Sequence, residues 1–306
     1  MNVKIKPVGA PGLEDFAGKF CVLSVALDNP IITNRCLDIS GPDPGTAQEP
    51  FAFFFVHGGG WAGGSRGQYY PIMQYVNMRG FAAAATGYRL CDKQITAFDQ
   101  LLDVRQSYAQ FVKYLQKKTG EANPKIVVMG SSAGAHLGSL LAYAKPGECG
   151  EPLRYKNFEL PGDWVAPAAL IAVCGTKQMI PWPGIPDVIW KSMQLAAGND
   201  YSPQFEPLFK QLSPAAYFCQ DSCPTFIVAA EHETLFSNRL NREWHDELTQ
   251  LGIRCEMKIY QGQSHGFLYY CDSPAQKQAL EDVLNFVQSL CHKDHSMTSD
   301  VFSEDL

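Results

Sequence analysis

The sequence predicts an α/β fold in which a mostly parallel, eight-stranded sheet is covered by helices on both faces. From residue 51 onward, short apolar runs alternate with longer amphipathic segments, and this order implies right-handed crossovers between parallel strands. Of the 306 residues, 46% are hydrophobic and 18% are charged, a composition that excludes a disordered chain and supplies a large core. Nothing between residues 19 and 290 has the composition of a linker, so we expect a single domain over residues 1–306.

Eight apolar runs of strand length follow one another along the chain. The first two are joined by residues 28–30, Asp-Asn-Pro, a turn sequence that predicts an antiparallel hairpin at the sheet edge. The others are separated by segments of helix length with apolar side chains at a three–four spacing. The predicted strands are residues 20–27, 32–39, 51–56, 81–86, 125–129, 168–174, 225–230 and 255–260, and the predicted helices are 69–78, 97–118, 133–144, 237–251 and 274–290.

Two stretches and the C-terminal tail break this alternation. Residues 145–165 are rich in proline, glycine and charge, and we interpret them as a surface excursion. Residues 176–216 hold six prolines and two tryptophans between two predicted strands. A long insertion of this kind usually covers a site, so we expect a small cap. Residues 292–306 are polar and acidic, and we expect a flexible tail there.

Charge and apolar patterning exclude several classes of partner. The net charge is −6 and the only local basic cluster is Lys117-Lys118, so neither nucleic acid nor an anionic membrane is expected as a partner. An apolar run such as residues 51–56 is far shorter than the ~18 residues of a membrane-spanning helix. Residues 1–15 lack the apolar stretch of a secretory signal.

The ten cysteines have irregular spacings and form no Cys-x-x-Cys pair. Cys219 and Cys223 are separated by three residues, and no second pair follows to complete a zinc site. We therefore interpret the cysteines as mostly buried thiols in a reducing cytoplasm. Neither a metal nor an organic cofactor is expected.

The segment GSSAG at residues 130–134 carries the strongest chemical signal. It directly follows the predicted strand 125–129 and opens a predicted helix, which is the setting that a Gly-x-Ser-x-Gly nucleophile elbow requires. The chain must turn from strand to helix within about two residues, so the serine is strained and its neighbours must be small. Ser132 is therefore the candidate nucleophile.

A second glycine-rich segment, HGGGW at residues 57–61, follows the predicted strand 51–56. Backbone N–H groups stabilise the negative charge that acyl transfer develops on the former carbonyl oxygen. Glycines leave the approach to those N–H groups unobstructed. The segment is therefore a candidate oxyanion turn, with a flexible glycine turn as the alternative.

A serine hydroxyl is a weak nucleophile and needs a base. His265 lies just after the last predicted strand and is the candidate, while the other histidines are assigned to turn, packing or surface positions. The predicted strand 225–230 runs into two carboxylates that could orient the base. Glu233 is preferred, and Glu231, nearer the strand, is the alternative. The chain order Ser132, Glu233, His265 is that of nucleophile, acid and base.

Taken together, the segments HGGGW, GSSAG, EHETL and SHGF resemble the α/β-hydrolase superfamily, most closely its hormone-sensitive-lipase-like and carbohydrate-esterase-like (acetyl esterase) branch. The resemblance spans roughly residues 50–290. It implies an α/β-hydrolase fold with Ser132 as nucleophile and His265 as base. The oxyanion N–H groups would come from Gly59, Gly60 and Ala133. That family most often has aspartate where this chain has Glu233, and either carboxylate serves in such triads.

These features predict a cytoplasmic serine esterase that cleaves small short-chain carboxylic esters, such as acetylated sugars or aryl esters, through an acyl-enzyme. A preference for acyl chains up to about four carbons is expected because the insertion is modest. We expect an apolar wall near the substrate that is formed by Trp61, Met179, Trp182 and Trp190. The alternative is that these side chains pack in the core. Two other functions stay open: an amide or formamide hydrolase similar to kynurenine formamidases, and a non-catalytic binding protein on a hydrolase scaffold.

Overall fold

A central sheet flanked by helices organises the chain. In the computed structural model the described residues are 4–7, 21–26, 35–47, 49–155 and 158–291. The strands are β1 (Lys4–Pro7), β2 (Cys21–Ala26), β3 (Cys36–Ser40), β4 (Phe51–Val56), β5 (Ala82–Thr86), β6 (Lys125–Ser131), β7 (Arg154–Tyr155), β8 (Phe158–Glu159), β9 (Ala169–Val173), β10 (Thr225–His232) and β11 (Cys255–Ser264). The helices are α1 (Tyr70–Asn77), α2 (Ala97–Thr119), α3 (Ala133–Tyr143), α4 (Asp187–Ala197), α5 (Glu206–Gln211), α6 (Asn238–Gln250) and α7 (Pro274–Ser289). None of the helices within these ranges is long and apolar enough to cross a membrane.

The main sheet has the strand order β1-β2-β3-β5-β4-β6-β9-β10-β11 in the described residues. The six strands from β5 to β11 pair in parallel. The first three strands pair antiparallel with one another, and β3 pairs antiparallel with β5. This arrangement confirms the predicted α/β fold with a mostly parallel sheet, and the predicted hairpin strands are neighbours as β2 and β3.

The sequence predicted eight strands for this sheet, whereas the described residues form nine, and the additional strand is β1. Its sequence, Lys-Ile-Lys-Pro, contains no apolar run, so hydrophobic patterning gives no signal there. The strand forms through backbone pairing with β2, where Lys4 lies opposite Ser24. Lysine and proline are typical of edge strands because they discourage pairing with another chain.

The segment 176–216, expected to be a cap insertion, contains two helices that the sequence pattern did not predict. Helix α4 begins after Pro186 and ends at Gly198, whose φ of 72° is left-handed. Helix α5 has a proline in its first turn, a position where the missing N–H has no intrahelical acceptor to lose. Two of the six prolines of the insertion, Pro186 and Pro207, therefore lie at helix starts. Residues 292–306, expected to be a flexible tail, lie outside the described residues.

Strand β4 is buried along its whole length. Phe53 and Phe55 pack in the core on one face of the sheet, and Phe54 and Val56 pack on the other. An apolar run buried on both faces is expected for a central parallel strand. Val56 pairs with Gly130 at the end of β6. The glycine-rich turn and the serine elbow therefore leave the sheet side by side.

A buried ion cluster fixes α2 against the sheet. The Asp103 carboxylate accepts hydrogen bonds from Arg35 Nε at 2.8 Å and from Arg89 Nε at 2.8 Å. It also accepts one from the Arg89 backbone N–H at 2.9 Å, and its side chain is fully buried. Two guanidinium groups around one carboxylate offset the cost of burying that charge.

Nine cysteine side chains belong to the described residues, and all nine are free thiols. Five of them are buried. Burial raises the pKa of the Cys174 and Cys223 thiols to about 12, so both stay protonated at neutral pH. These thiols therefore pack as small apolar groups.

Candidate active site

Ser132 occupies the turn between β6 and α3 with φ 57° and ψ −123°. Such a left-handed backbone is costly for a residue with a side chain. Its backbone N–H donates to Val173 O at 2.9 Å. A Cβ on Gly134 would lie 2.0 Å from Val56 O, and one on Gly130 would lie 2.2 Å from Gly134 O. The two glycines are therefore required for the elbow to close against β4.

Three side chains form a continuous hydrogen-bonded chain at the carboxyl ends of the strands. His265 Nε2 lies 2.9 Å from Ser132 Oγ, and His265 Nδ1 lies 2.8 and 3.0 Å from the two carboxylate oxygens of Glu233. With its Nδ1–H donated to the carboxylate, the imidazole has Nε2 free to accept the serine proton. The residues of the predicted nucleophile, acid and base are thus within hydrogen-bond reach of one another.

Glu233 is held in place by the backbone that follows it. Its Oε1 accepts hydrogen bonds from the N–H groups of Leu235 at 2.8 Å and Phe236 at 3.2 Å. Burial raises the pKa of Glu233, but the bonds from His265 and from these N–H groups outweigh it and lower the net pKa below its ordinary value. The carboxylate is therefore ionised at neutral pH. Glu231, the alternative acid, instead accepts the Gly262 N–H at 2.8 Å.

The glycine-rich turn at residues 57–61 faces Ser132 across the site. Gly59 and Gly60 have φ of 120° and 58°, and both line the same cavity as Ser132. Gly63 N–H donates to Gly59 O at 2.9 Å, which closes the turn. Ala133 follows Ser132 in the first turn of α3, where backbone N–H groups have no intrahelical acceptor. The arrangement provides backbone donors on both sides of the serine.

Two buried histidines support this turn as neutral rings. His57 Nδ1 lies 2.8 Å from Gly58 O, a bond in which the ring N–H donates. His136 accepts the indole N–H of Trp61 at 3.1 Å and donates from Nε2 to Leu212 O at 2.6 Å. Burial lowers the pKa of each ring to about 4. Neither histidine is placed to act as the base, and both fix backbone positions.

A cavity of about 300 Å³ opens over Ser132 and His265. Helix α4 contributes three side chains to its wall, and His265 is the only ionisable side chain other than a tyrosine among its described lining residues. The lining residues are Gly59, Gly60, Gln68, Ser132, Val188, Ile189, Ser192, Leu235, His265 and Tyr269. The site is thus a small, mostly uncharged space.

The structure corrects the expectation that Trp61, Met179, Trp182 and Trp190 form the apolar wall. Trp61 and Met179 are fully buried and Trp182 is nearly so, all three within the core. Trp190 packs against the rings of Tyr201 and Phe209. On α4, positions 188, 189 and 192 share one face while position 190 lies on the opposite face.

The wall residues that sequence reasoning missed are Gln68, Val188, Ile189, Ser192, Leu235 and Tyr269. Three of them lie on α4, where positions 188, 189 and 192 share one face, but the sequence pattern did not predict this helix. Tyr269 lies four residues after the candidate base. The choice of tryptophans rested on residue type alone, which does not say which face a helix presents.

One group of possible metal ligands occurs in the described residues, namely Cys174, Glu233 and His265, whose ligand atoms lie within 4.8 Å of one another. A metal needs the thiolate form of cysteine, but burial raises the pKa of Cys174 to about 12. Glu233 and His265 are also bonded to each other. The group therefore fits a carboxylate–imidazole pair beside a neutral thiol better than a metal centre.

Comparison with known proteins identifies relatives. The BD-FAE family model matches residues 37–248. The chain is 25% identical over 228 residues to the probable carboxylic ester hydrolase LipM of Mycobacterium tuberculosis, covering 70% of this chain and 47% of LipM. The chain thus spans about half the length of that curated relative.

Two solved esterase structures are similar in fold. Propionate-bound esterase Est2 of Thermogutta terrifontis superposes with a TM-score of 0.65 and 23% identity, covering 83% of this chain and 89% of that one. Esterase B of Lactobacillus rhamnosis, bound to a tributyrin phosphonate, gives a TM-score of 0.71 and 16% identity, covering 89% of this chain and 85% of that one. The fold is that of the α/β-hydrolases, and with more than half of its length matched by the family model, this chain belongs to the BD-FAE family.

Proposed function

We propose that this protein is a serine carboxylic-ester hydrolase that acts on small, uncharged, short-chain esters through an acyl-enzyme at Ser132. The observation that carries the proposal is the hydrogen-bonded chain from Glu233 through His265 to Ser132, at 2.8 and 2.9 Å. A nucleophile, a base and an orienting carboxylate in this geometry form the machinery of serine acyl transfer.

Each side chain has a separate task in the proposed reaction. Ser132 Oγ attacks the ester carbonyl while His265 Nε2 takes its proton, and the resulting imidazolium is stabilised by Glu233. The tetrahedral intermediate carries its negative charge on the former carbonyl oxygen, next to the N–H groups of Gly59, Gly60 and Ala133. Its collapse breaks the bond to the alkoxy oxygen, which receives the proton from His265 and leaves as the alcohol. Water then attacks the acyl-enzyme by the same route and releases the acid.

The oxyanion donors are backbone groups, so no side chain must move to meet the developing charge. In serine hydrolases the removal of one such donor costs roughly 10²–10³ in kcat. The elbow and the glycine-rich turn start side by side from paired strand ends. The sheet therefore sets where the two segments that carry the donors begin.

The cavity supports a small and neutral substrate. Its volume of about 300 Å³ and the side chains of Val188, Ile189 and Leu235 suit a short alkyl chain. We propose that α4 acts as the cap that limits the length of this chain. The relative Est2 has been observed with propionate and with butyrate bound, in agreement with a short acyl group.

The same lining favours an ester over the formamide alternative. N-formylkynurenine carries an ammonium and a carboxylate at neutral pH, and a site that selects it needs counter-charges. Among the described lining residues no aspartate, glutamate, lysine or arginine is present. The complete hydrogen-bonded chain at Ser132 also argues against a non-catalytic binding protein.

We further propose a cytoplasmic location. The support is the set of nine free thiols in the described residues, since secreted proteins tend to use their cysteines in disulfides. Fractionation of cells of the source organism, with immunodetection of the protein, tests this proposal.

A substrate panel tests the activity directly. We expect p-nitrophenyl acetate and butyrate to be hydrolysed at least about tenfold more efficiently, by kcat/KM, than the decanoate. An ester of the same length with a terminal carboxylate and N-formylkynurenine should be poor substrates. A pre-steady-state burst of p-nitrophenol should reveal the acyl-enzyme. Absence of any burst or turnover with the short esters, or faster turnover of N-formylkynurenine, would refute the proposal.

A further inference from the structure

The phenol of Tyr269 contacts the backbone of the oxyanion turn. Gly58 N–H donates to Tyr269 Oη at 3.0 Å. A Cβ on Gly58 would lie 2.3 Å from this oxygen and 2.6 Å from Ser131 O. Only glycine therefore allows the turn to fit between the phenol and the serine elbow.

The Gly58 residue is held by side chains through both of its backbone groups. Its N–H is bonded to Tyr269, and its carbonyl accepts the Nδ1–H of His57 at 2.8 Å. The two residues that follow, Gly59 and Gly60, carry the proposed oxyanion donors and have no side chains of their own to anchor them. Glycine gains conformational freedom at a cost in rigidity, and transition-state stabilisation needs donors that are already in place. The bonds to Gly58 supply that rigidity.

Tyr269 belongs to the same loop as the proposed base. Phe267 N–H donates to Ser264 O at 3.2 Å, which folds the loop that begins with Ser264 and His265 into a turn. Four residues after the base, the Tyr269 ring lies against the ring of Tyr69 with centroids 5.5 Å apart. Tyr269 also lines the cavity. One short loop therefore reaches both the serine and the oxyanion turn.

We infer that Tyr269 is a positioning residue that fixes the oxyanion turn to the loop carrying the base, through the bond between its hydroxyl and Gly58 N–H. This role rests on the proposed ester hydrolysis at Ser132. Burial raises the pKa of Tyr269, so the group stays a neutral phenol and adds no negative charge next to the oxyanion. The base and the oxyanion donors are then held at a fixed separation.

Tyr269→Phe removes the acceptor and keeps the ring. We expect kcat/KM for p-nitrophenyl butyrate to fall about tenfold, mostly in kcat, which corresponds to about 1.4 kcal/mol of transition-state stabilisation. The matched control is Tyr69→Phe. Tyr69 is fully buried against the Tyr269 ring, and its hydroxyl has no hydrogen-bond partner in the described residues. The control should stay within about twofold of the wild type.

Two further measurements separate positioning from a general loss of structure. A trifluoromethyl ketone forms a tetrahedral adduct with the serine, so its Ki should rise in Tyr269→Phe by the factor by which kcat/KM falls, with KM nearly unchanged. Amide hydrogen exchange in the peptide covering residues 57–61 should be faster in Tyr269→Phe than in Tyr69→Phe.

Each outcome decides between the proposals. Equal exchange in the two variants, or equal losses of kcat/KM, would overturn the role of Tyr269 while ester hydrolysis by the wild type stands. A further outcome is that the wild type hydrolyses no ester while Tyr269→Phe, and not Tyr69→Phe, speeds amide exchange in residues 57–61. In that case the proposed function fails, but the bond from Tyr269 to Gly58 still fixes the oxyanion turn.

Discussion

Replacing Glu233 with glutamine should give His265 the wrong tautomer. In the wild type, Glu233 Oε1 accepts two backbone N–H groups and Oε2 accepts the imidazole Nδ1–H at 2.8 Å. The glutamine carbonyl must keep the position of Oε1, because an amide NH₂ there would face two donors. Its NH₂ group is then directed at Nδ1, which can only accept, so the ring proton moves to Nε2.

A ring protonated at Nε2 donates to Ser132 Oγ and cannot remove its proton. The charge that stabilises the imidazolium is lost as well. Amide replacement of the acid in a serine hydrolase lowers kcat by about 10⁴-fold, and we expect a loss of ~10³–10⁴-fold here. That loss corresponds to about 4–5.5 kcal/mol of activation free energy.

The assay is kcat on p-nitrophenyl butyrate, with thermal unfolding to verify the fold. Glu231→Gln is the matched control, since this carboxylate bonds Gly262 N–H and is partly exposed, and it should lose less than about threefold. Glu233→Asp keeps the charge but withdraws it by ~1.5 Å, so its loss should be smaller than that of Glu233→Gln. A crippled Glu231→Gln beside a nearly normal Glu233→Gln would refute the tautomer reasoning.

Three other substitutions test the nucleophile, the cavity and the scaffold. Ser132→Ala should lower kcat at least about 10³-fold with an unchanged circular dichroism spectrum, and retention of a tenth of the activity would reject this nucleophile. Ile189→Ala should raise the hexanoate-to-butyrate ratio of kcat/KM about tenfold by enlarging the cavity, whereas the volume-conserving Ile189→Leu should leave it unchanged. Asp103→Asn removes the negative charge that pairs with the guanidinium groups of Arg35 and Arg89 and should cost about 3–5 kcal/mol of unfolding free energy in urea. A cost below about 1 kcal/mol would contradict the assigned role of the cluster.

The parallel half of the sheet was predictable because its strands are buried on both faces and therefore appear as apolar runs. Residues 51–56 match β4, and residues 125–129 lie within β6. Strand β1 was missed since an edge strand needs only backbone pairing, and Lys-Ile-Lys-Pro carries no hydrophobic signal. The helices of the insertion were missed because the segment was interpreted only as a proline-rich cap, whereas Pro186 and Pro207 lie at helix starts.

The site residues show the same contrast between local sequence signals and tertiary packing. Ser132 and His265 stand in short motifs whose local backbone is demanded by the chemistry, so the sequence alone pointed to them. The cavity wall depends on how α4 is rotated about its axis, which places Val188 toward the cavity and Trp190 toward the core. Tertiary packing decides that rotation, and no motif records it. The bond from Gly58 to Tyr269 joins residues 211 positions apart and was equally invisible.

The stability of the fold should depend on pH because two neutral histidines, His57 and His136, are buried under the oxyanion turn. Each has a pKa of about 4 in the folded state and about 6.5 when unfolded. Between pH 6.5 and 4 the two histidines therefore bind protons in the unfolded chain but stay neutral in the native state. Stability then falls by up to about 1.4 kcal/mol per pH unit for each ring, and the loss levels off only below pH 4. Acid should thus destabilise the part of the scaffold that supports the oxyanion turn.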